Sequence, residues 1–130
     1  MKSNHISTAK LLGGLFFLNL VLSLSVWLWT RPNGVGEYDA SPDGRWTAHV
    51  SNLSRGTLTG SRYTYLEIRV VESATGLILT RRELPYGPND RVPDYSDRSQ
   101  RFITWATNSN QFTVAITNGA SVAIAVSTKT

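Results

Sequence analysis

The residues best suited to chemistry are one histidine in the middle of the chain and a group of carboxylates in one loop. His49 lies on the polar face of a predicted strand, and the sequence offers it no Cys and only one other histidine, His5, in the N-terminal tail. A zinc site needs several His or Cys ligands, and a catalytic histidine needs a partner group. We therefore expect His49 to be structural or merely exposed.

The carboxylates lie in the long connection of residues 85–100, where Asp90, Asp94 and Asp97 are interspersed with arginines. Oxygen ligands on a flexible loop can bind calcium, but this spacing matches no standard calcium loop. The chain also has no nucleophile with an adjacent base and no glycine-rich phosphate loop. We expect ion pairs and turns here, with no metal, no cofactor and no enzyme activity.

The same connection is the best candidate for a protein partner site, because it is long, carries aromatic residues beside charges, and is stiffened by prolines. An alternative interpretation is a proline-stiffened connection that only covers one edge of a sheet. The candidate contact residues are Tyr86, Asp90, Arg91, Asp94, Tyr95, Asp97 and Arg98.

Charge argues against a nucleic-acid partner. The formal net charge of the chain is +4, but Lys2 and Lys10 precede the apolar segment, and residues 31–130 hold 11 Lys and Arg against 9 Asp and Glu. A nucleic-acid surface needs concentrated basic residues, whereas these arginines alternate with acids along the sequence. The absence of Cys also excludes disulfides, thiolate metal sites and lipid anchors on Cys.

Residues 11–29 form an uncharged run with only Asn19, Ser23 and Ser25 as polar side chains. This is nearly the length needed to cross the hydrocarbon core of a membrane. Trp27 and Trp29 lie at its C-terminal end, where aromatic rings prefer the headgroup zone, and Pro32 follows. The sequence therefore predicts one transmembrane helix.

The charges around this helix favour a cytoplasmic N-terminus, since Lys2 and Lys10 precede it. We therefore expect a cytoplasmic tail at 1–10, the transmembrane helix at 11–29, a linker at 30–40 and an extracytoplasmic β domain at 41–130. The expected location is the cytoplasmic (inner) membrane, with the domain outside or in the periplasm. Domains without Cys are common in bacterial envelopes, which favours a bacterial protein.

Two alternatives to a simple anchor stay open. The apolar run also fits a cleaved signal peptide, with small residues for cleavage at Ser23 and Ser25 or at Gly34 and Gly36. The helix is also a candidate docking surface for another membrane protein. Its candidate contact residues are Gly13, Gly14, Asn19 and Ser23.

The rest of the chain alternates apolar and polar residues, which is the pattern of half-buried strands. Turn sequences separate the runs, and Asn118-Gly119 favours a tight hairpin with two positive φ angles. The expected fold is all-β, a small antiparallel meander or sandwich of about six strands after one transmembrane helix. The predicted strands are 46–52, 62–72, 77–84, 101–106, 111–117 and 120–127.

The segment from Ser41-Pro42-Asp43-Gly44 into the strand beginning at Trp46 resembles the TolB-type β-propeller repeat. Leu66 to Gly76 is similar to the next strand and hairpin of that repeat, and Phe102 to Ala115 resembles the opening of a second repeat. The resemblance covers about residues 41–117, or one and a half blades, whereas a closed propeller has four to eight. It implies sheet topology and no inherited activity.

These features predict a non-catalytic interaction or accessory module that a single helix holds at the membrane of a cell envelope. The expected partners are the lipid bilayer and a protein. The alternatives are a secreted β domain released by signal cleavage and a small membrane subunit that acts through its helix.

Overall fold

The structure is a computed structural model, and it describes residues 7–126. One helix is followed by two antiparallel β sheets. The elements are α1 (Thr8–Thr30), β1 (Asn33–Ala40), β2 (Trp46–Gly56), β3 (Arg62–Glu72), β4 (Ile78–Pro85), β5 (Ile103–Trp105), β6 (Gln111–Ala115), a single 3₁₀ turn (Thr117–Gly119) and β7 (Ser121–Ala125).

Helix α1 has 23 residues and is apolar on all sides, and none of its residues is buried. At 1.5 Å per residue it is about 35 Å long, which exceeds the roughly 30 Å of a bilayer's hydrocarbon core. It is the one helix among residues 7–126 that is long and apolar enough to cross a membrane. It contains the whole predicted span of residues 11–29.

The first sheet is a four-stranded meander in the order β1-β2-β3-β4. The sequence predicts three of its strands, but β1 forms within residues 30–40, the segment expected to be a linker. No alternation of apolar and polar residues marks β1, because it is an edge strand with mostly exposed side chains. Its glycines allow close pairing, since a Cβ at Gly34 or Gly36 would collide with β2.

The second sheet has three strands in the order β5-β6-β7. The predicted hairpin between β6 and β7 is present, and Asn118 and Gly119 both have positive φ, at 59° and 74°. All three strands are shorter than their predictions. The last predicted residue, Ser127, lies outside the described residues.

The two sheets share one apolar core. β2 and β3 contribute alternate side chains on one face, as the sequence pattern predicts, and β6 and β7 contribute theirs from the other sheet. Among the most deeply buried residues are Val50, Leu66, Ile68, Val70, Ile103, Phe112, Val114 and Ile124.

Two turns with the same hydrogen bonds precede β2 and β6. In the first, the Gly44 amide donates to the Ser41 carbonyl at 2.8 Å, and in the second the Ser109 amide donates to the Ala106 carbonyl at 3.0 Å. Gly44 and Ser109 both have positive φ, at 72° and 60°. The turns also meet, because the Asp43 amide donates to Ser109 Oγ at 3.1 Å, which ties the two sheets together.

Candidate binding cleft

A cleft of about 490 Å³ lies between β1 and the end of the long connection before β5. One wall is β1 and the other is the segment of residues 95–101. The residues that line it include Val35, Glu37, Tyr38, Tyr95, Asp97, Arg98 and Arg101. Three of them, Tyr95, Asp97 and Arg98, belong to the predicted partner loop.

The β1 wall presents the unpaired edge of the first sheet. In an antiparallel pair, the N–H and C=O of a residue point to the same side, and successive residues alternate. The Ser41 amide donates to the Trp46 carbonyl at 2.8 Å, so the peptide groups of Ser41 and of the odd-numbered residues of β1 point toward β2. The Asp39 carbonyl also accepts a hydrogen bond from Trp105 Nε1 at 3.2 Å. By this alternation, the peptide groups of Gly36 and Tyr38 point away from β2, at the wall of the cleft.

Glu37 is the carboxylate on the β1 wall of the cleft. Its side chain is half-buried and accepts a hydrogen bond from the Phe102 amide at 3.2 Å. Burial raises the pKa of Glu37, and the nearby Asp39 acts in the same direction, while the Phe102 amide and Arg101 oppose the shift. Partial burial therefore disfavours the charged form of Glu37.

The opposite wall is anchored by Tyr95, which is only 3% exposed. Its hydroxyl donates to the Ala115 carbonyl at 2.7 Å, and its ring packs edge-on against Phe102 at 5.1 Å between centroids. Burial, followed by the neighbouring Glu37, raises the pKa of Tyr95, so it stays a neutral donor. Tyr95 thus fixes the wall to the second sheet.

Asp97 shapes the turn beside Tyr95. Its carboxylate accepts hydrogen bonds from the side chain and amide of Ser99 and from Gln100 Nε2, and these bonds lower the pKa of Asp97. Its acceptor capacity is thus used within the loop. Arg98 and Arg101 are exposed at the same wall. The charges left for a ligand are therefore mainly positive.

The other residues of the predicted partner loop hold the loop in shape. The Tyr86 hydroxyl donates to the Asn52 side chain, and Asp90 accepts from the Gly87 amide at 2.8 Å and from Asn118 Nδ2 at 2.9 Å. The Arg91 amide donates to Asn118 Oδ1 at 2.8 Å, and Asp94 accepts from the Ser96 amide at 3.0 Å.

The aromatic residues of the predicted contact surface are less exposed than its charged residues. Tyr95 is buried and Tyr86 is half-buried, whereas Arg91, Asp94 and Arg98 are exposed. Tyr95 therefore packs into the fold, as the alternative of a connection that covers the sheet expects, and partner binding by this loop stays a prediction.

The predicted docking residues of the helix are all exposed. Ser23 Oγ donates to Asn19 Oδ1 at 3.4 Å, one turn apart, and a Cβ at Gly13 or Gly14 would meet nothing within 4 Å. At about 100° per residue, Gly14 lies roughly 140° or more around the helix from Asn19 and Ser23. The four residues therefore do not form one continuous face.

His49 is not among the residues that line the cleft. Its ring is 5.8 Å from that of Tyr38 between centroids. Burial, and then the nearby Arg69, lowers the pKa of His49, while Glu67 opposes the shift. Over residues 7–126, no group of three or more His, Asp and Glu residues is placed to hold a metal ion.

Comparison of the chain with protein-family models, with curated proteins and with solved structures found no match. The cleft presents main-chain groups of β1, the Glu37 carboxylate and the guanidinium groups of Arg98 and Arg101. Sequence reasoning missed Glu37 and Arg101 as members of this cleft, since nothing in the sequence indicated that β1 exists or that it faces this loop.

Proposed function

We propose that this chain is a single-pass membrane protein that holds a non-catalytic β domain at the outer face of a bacterial cytoplasmic membrane. In this proposal α1 spans the bilayer with its N-terminus in the cytoplasm. The domain serves an envelope complex as an interaction or accessory module.

The contact between α1 and β2 carries this proposal. Trp29, near the end of the helix, donates from Nε1 to the Thr57 carbonyl at 3.0 Å. Its ring lies against Gly56, where a Cβ would collide with it. Gly56 is buried although it ends a surface hairpin. Because the domain binds the Trp29 side chain at Gly56 and Thr57, a retained helix explains this contact better than a signal peptide that is removed.

Strand β1 also argues against late signal cleavage. Cleavage after Gly36 would remove half of β1, including residues that pair with Ser51 to Ser54 of β2. Cleavage after Ser25 would leave Trp27 and Trp29 on an apolar new terminus. The remaining alternative is a secreted domain that keeps this terminus, and it predicts a shorter mature chain in the soluble fraction.

The cleft suggests how the domain recognises a partner. Edge strands bind extended peptides through main-chain hydrogen bonds, and the Gly36 and Tyr38 peptide groups lie at the free edge. Arg98 and Arg101 line the facing wall. The geometry therefore favours an extended partner segment that carries acidic side chains opposite these arginines.

Site-specific photocrosslinking in intact membranes tests this binding mode. A photoreactive residue replaces Tyr38, which is 73% exposed at the cleft, and a matched control replaces Leu79, which is 40% exposed on β4. We expect a discrete adduct from position 38 alone, and expect Arg101→Glu to weaken it. Equal adducts from both positions, or an adduct unchanged by Arg101→Glu, would contradict binding in the cleft.

A second candidate function is docking through the helix. Asn19 and Ser23 place polar groups on an apolar helix. No residue of this helix is buried against the rest of residues 7–126. Polar pairs in membrane helices often bond to another helix. Replacing residues 11–26 by an unrelated apolar segment, with Trp27 and Trp29 kept, separates the two functions, because lost partner capture favours the helix and retained capture favours the domain.

A further inference from the structure

The tip of the β2–β3 hairpin, residues 57–61, lies beside the C-terminal end of α1. The Trp29 ring contacts Gly56 and bonds to the Thr57 carbonyl at 3.0 Å. Trp side chains at the end of a membrane helix lie at the depth of the lipid headgroups. If α1 spans a bilayer, the hairpin tip therefore lies at that depth too.

The tip presents an apolar side chain from a fixed turn. Leu58 is 86% exposed, which is more than any other large hydrophobic residue of the described chain. The turn is closed by hydrogen bonds from the Thr57 amide to the Ser61 carbonyl at 2.8 Å and from the Gly60 amide to the Thr57 carbonyl at 3.0 Å. Leu58 is therefore held outward and does not fold back onto the domain.

Two arginines lie beside the tryptophans at the end of α1. The Arg31 guanidinium lies 5.4 Å from the Trp27 ring centroid, and that of Arg62 lies 5.6 Å from the Trp29 ring centroid. The hairpin from Leu53 to Leu66 contains no Asp or Glu. An apolar tip flanked by arginines matches the boundary between acyl chains and anionic headgroups.

We propose that the β2–β3 hairpin tip is a second membrane contact, in which Leu58 enters the outer leaflet while Arg31 and Arg62 face lipid phosphates. This inference rests on the proposed function, since it requires α1 to be a membrane anchor. With α1 and the hairpin tip both in contact with the membrane, the end of the first sheet that contains Gly56 lies next to the bilayer. The opposite end, at the β3–β4 turn, points away from the bilayer.

A depth measurement on the full chain tests this contact. The sequence has no Cys, so Leu58→Cys gives one site for an environment-sensitive fluorophore. The matched control is Leu77→Cys, since Leu77 is 61% exposed in the turn at the other end of β3. The 11 residues of β3 separate the two sites by about 33 Å at 3.3 Å per residue.

Both labelled chains are reconstituted into phosphatidylcholine vesicles with and without phosphatidylglycerol, and flotation measures whether each chain is membrane-bound. We expect both chains to float. Only the fluorophore at position 58 should shift its emission to the blue, and lipids with a spin label on the upper acyl chain should quench it several-fold more than the one at 77. Phosphatidylglycerol should increase this quenching, and Arg31→Gln with Arg62→Gln should abolish the increase.

The opposing outcomes separate the two proposals. Failure of the chains to float overturns the anchor and this inference together. Flotation with a water-like probe at position 58 overturns only the lipid contact. A blue shift without quenching by lipid also overturns it, because that result places Leu58 against protein.

Discussion

At the scale of single residues, the contact between Gly56 and Trp29 links the helix to the β domain. Glycine usually weakens a strand because it adds backbone entropy and no side chain to pack. Gly56 has a specific reason to be glycine, since any Cβ would overlap the indole of Trp29. Glycine is therefore required at position 56 only while the Trp29 ring packs against it.

Gly56→Ala should destabilise the full chain in lipid nanodiscs by about 1–3 kcal/mol, the usual cost of overpacking a filled site. Urea unfolding followed by circular dichroism measures the change. In a Trp29→Ala background the same substitution should be neutral or slightly stabilising, because the clash is gone. An equal loss in both backgrounds would show that the ring is not seated against Gly56.

Glu37 gives the cleft a pH dependence of known sign. Its pKa is raised above the ordinary value of 4.5, chiefly by burial. The folded state therefore favours the protonated form of Glu37. This preference contributes fully to the free energy of unfolding below about pH 4.5, and the contribution is lost as pH rises through the pKa of the folded state. Above that range, the native state holds a partly buried charge that destabilises it.

Glu37→Gln should therefore raise the melting temperature at pH 7, and the gain should disappear as pH falls below the ordinary carboxyl pKa. Glutamine keeps an oxygen that can accept from the Phe102 amide. Asp90→Asn is the control of opposite sign, because hydrogen bonds to Gly87 and Asn118 lower the pKa of Asp90. Asp90→Asn should lower the melting temperature at pH 7, with the deficit lost as pH falls through the folded pKa. A Glu37→Gln gain that persists at low pH would contradict this origin.

At the scale of elements, the loop before β5 is a fixed part of the fold. Tyr95 sends its side chain into the core and donates its hydroxyl to the Ala115 carbonyl of β6 at 2.7 Å. Asp90 and Arg91 tie the start of the loop to Asn118 in the β6–β7 turn. The cleft wall therefore depends on the second sheet and needs no partner to form.

Tyr95→Phe should cost about 0.5–1.5 kcal/mol, since it removes one hydrogen bond without opening a cavity. Urea unfolding midpoints of the reconstituted chain measure the loss. Tyr38→Phe serves as the control, because Tyr38 is 73% exposed, and it should change little. Equal midpoints for Tyr95→Phe and the parent chain would mean that the loop is not fastened at this hydroxyl.

The sequence predicts those elements whose side chains alternate between core and solvent. Strands β2 and β3 and the Asn118-Gly119 turn could be predicted because period-two alternation and paired positive φ angles leave clear marks. Strand β1 could not, because its pairing depends on glycines and its side chains face mostly outward. The burial of Tyr95 could not be predicted either, because a loop has no periodic pattern that indicates which side chains are buried.

At the scale of the whole molecule, the chain combines an exposed apolar helix, a contact between Trp29 of that helix and Gly56 of the β domain, and a cleft at a free sheet edge. The helix and the two-sheet domain are described by the structure. Membrane insertion, orientation and partner binding are proposals built on it, and the resemblance to propeller repeats stays a prediction. The proposed function depends on α1 being retained as an anchor with the domain outside.

Cysteine accessibility in bacterial spheroplasts tests that claim most directly, because the chain has no native Cys. Single variants Leu77→Cys, in the domain, and Ser3→Cys, in the tail, are treated with a membrane-impermeant maleimide before and after lysis. We expect a full-length chain that stays in alkali-washed membranes, with the thiol at position 77 labelled in intact spheroplasts and the thiol at position 3 labelled only after lysis. A shortened chain in the soluble fraction, or a thiol at position 77 that is labelled only after lysis, would contradict a retained anchor with the domain outside.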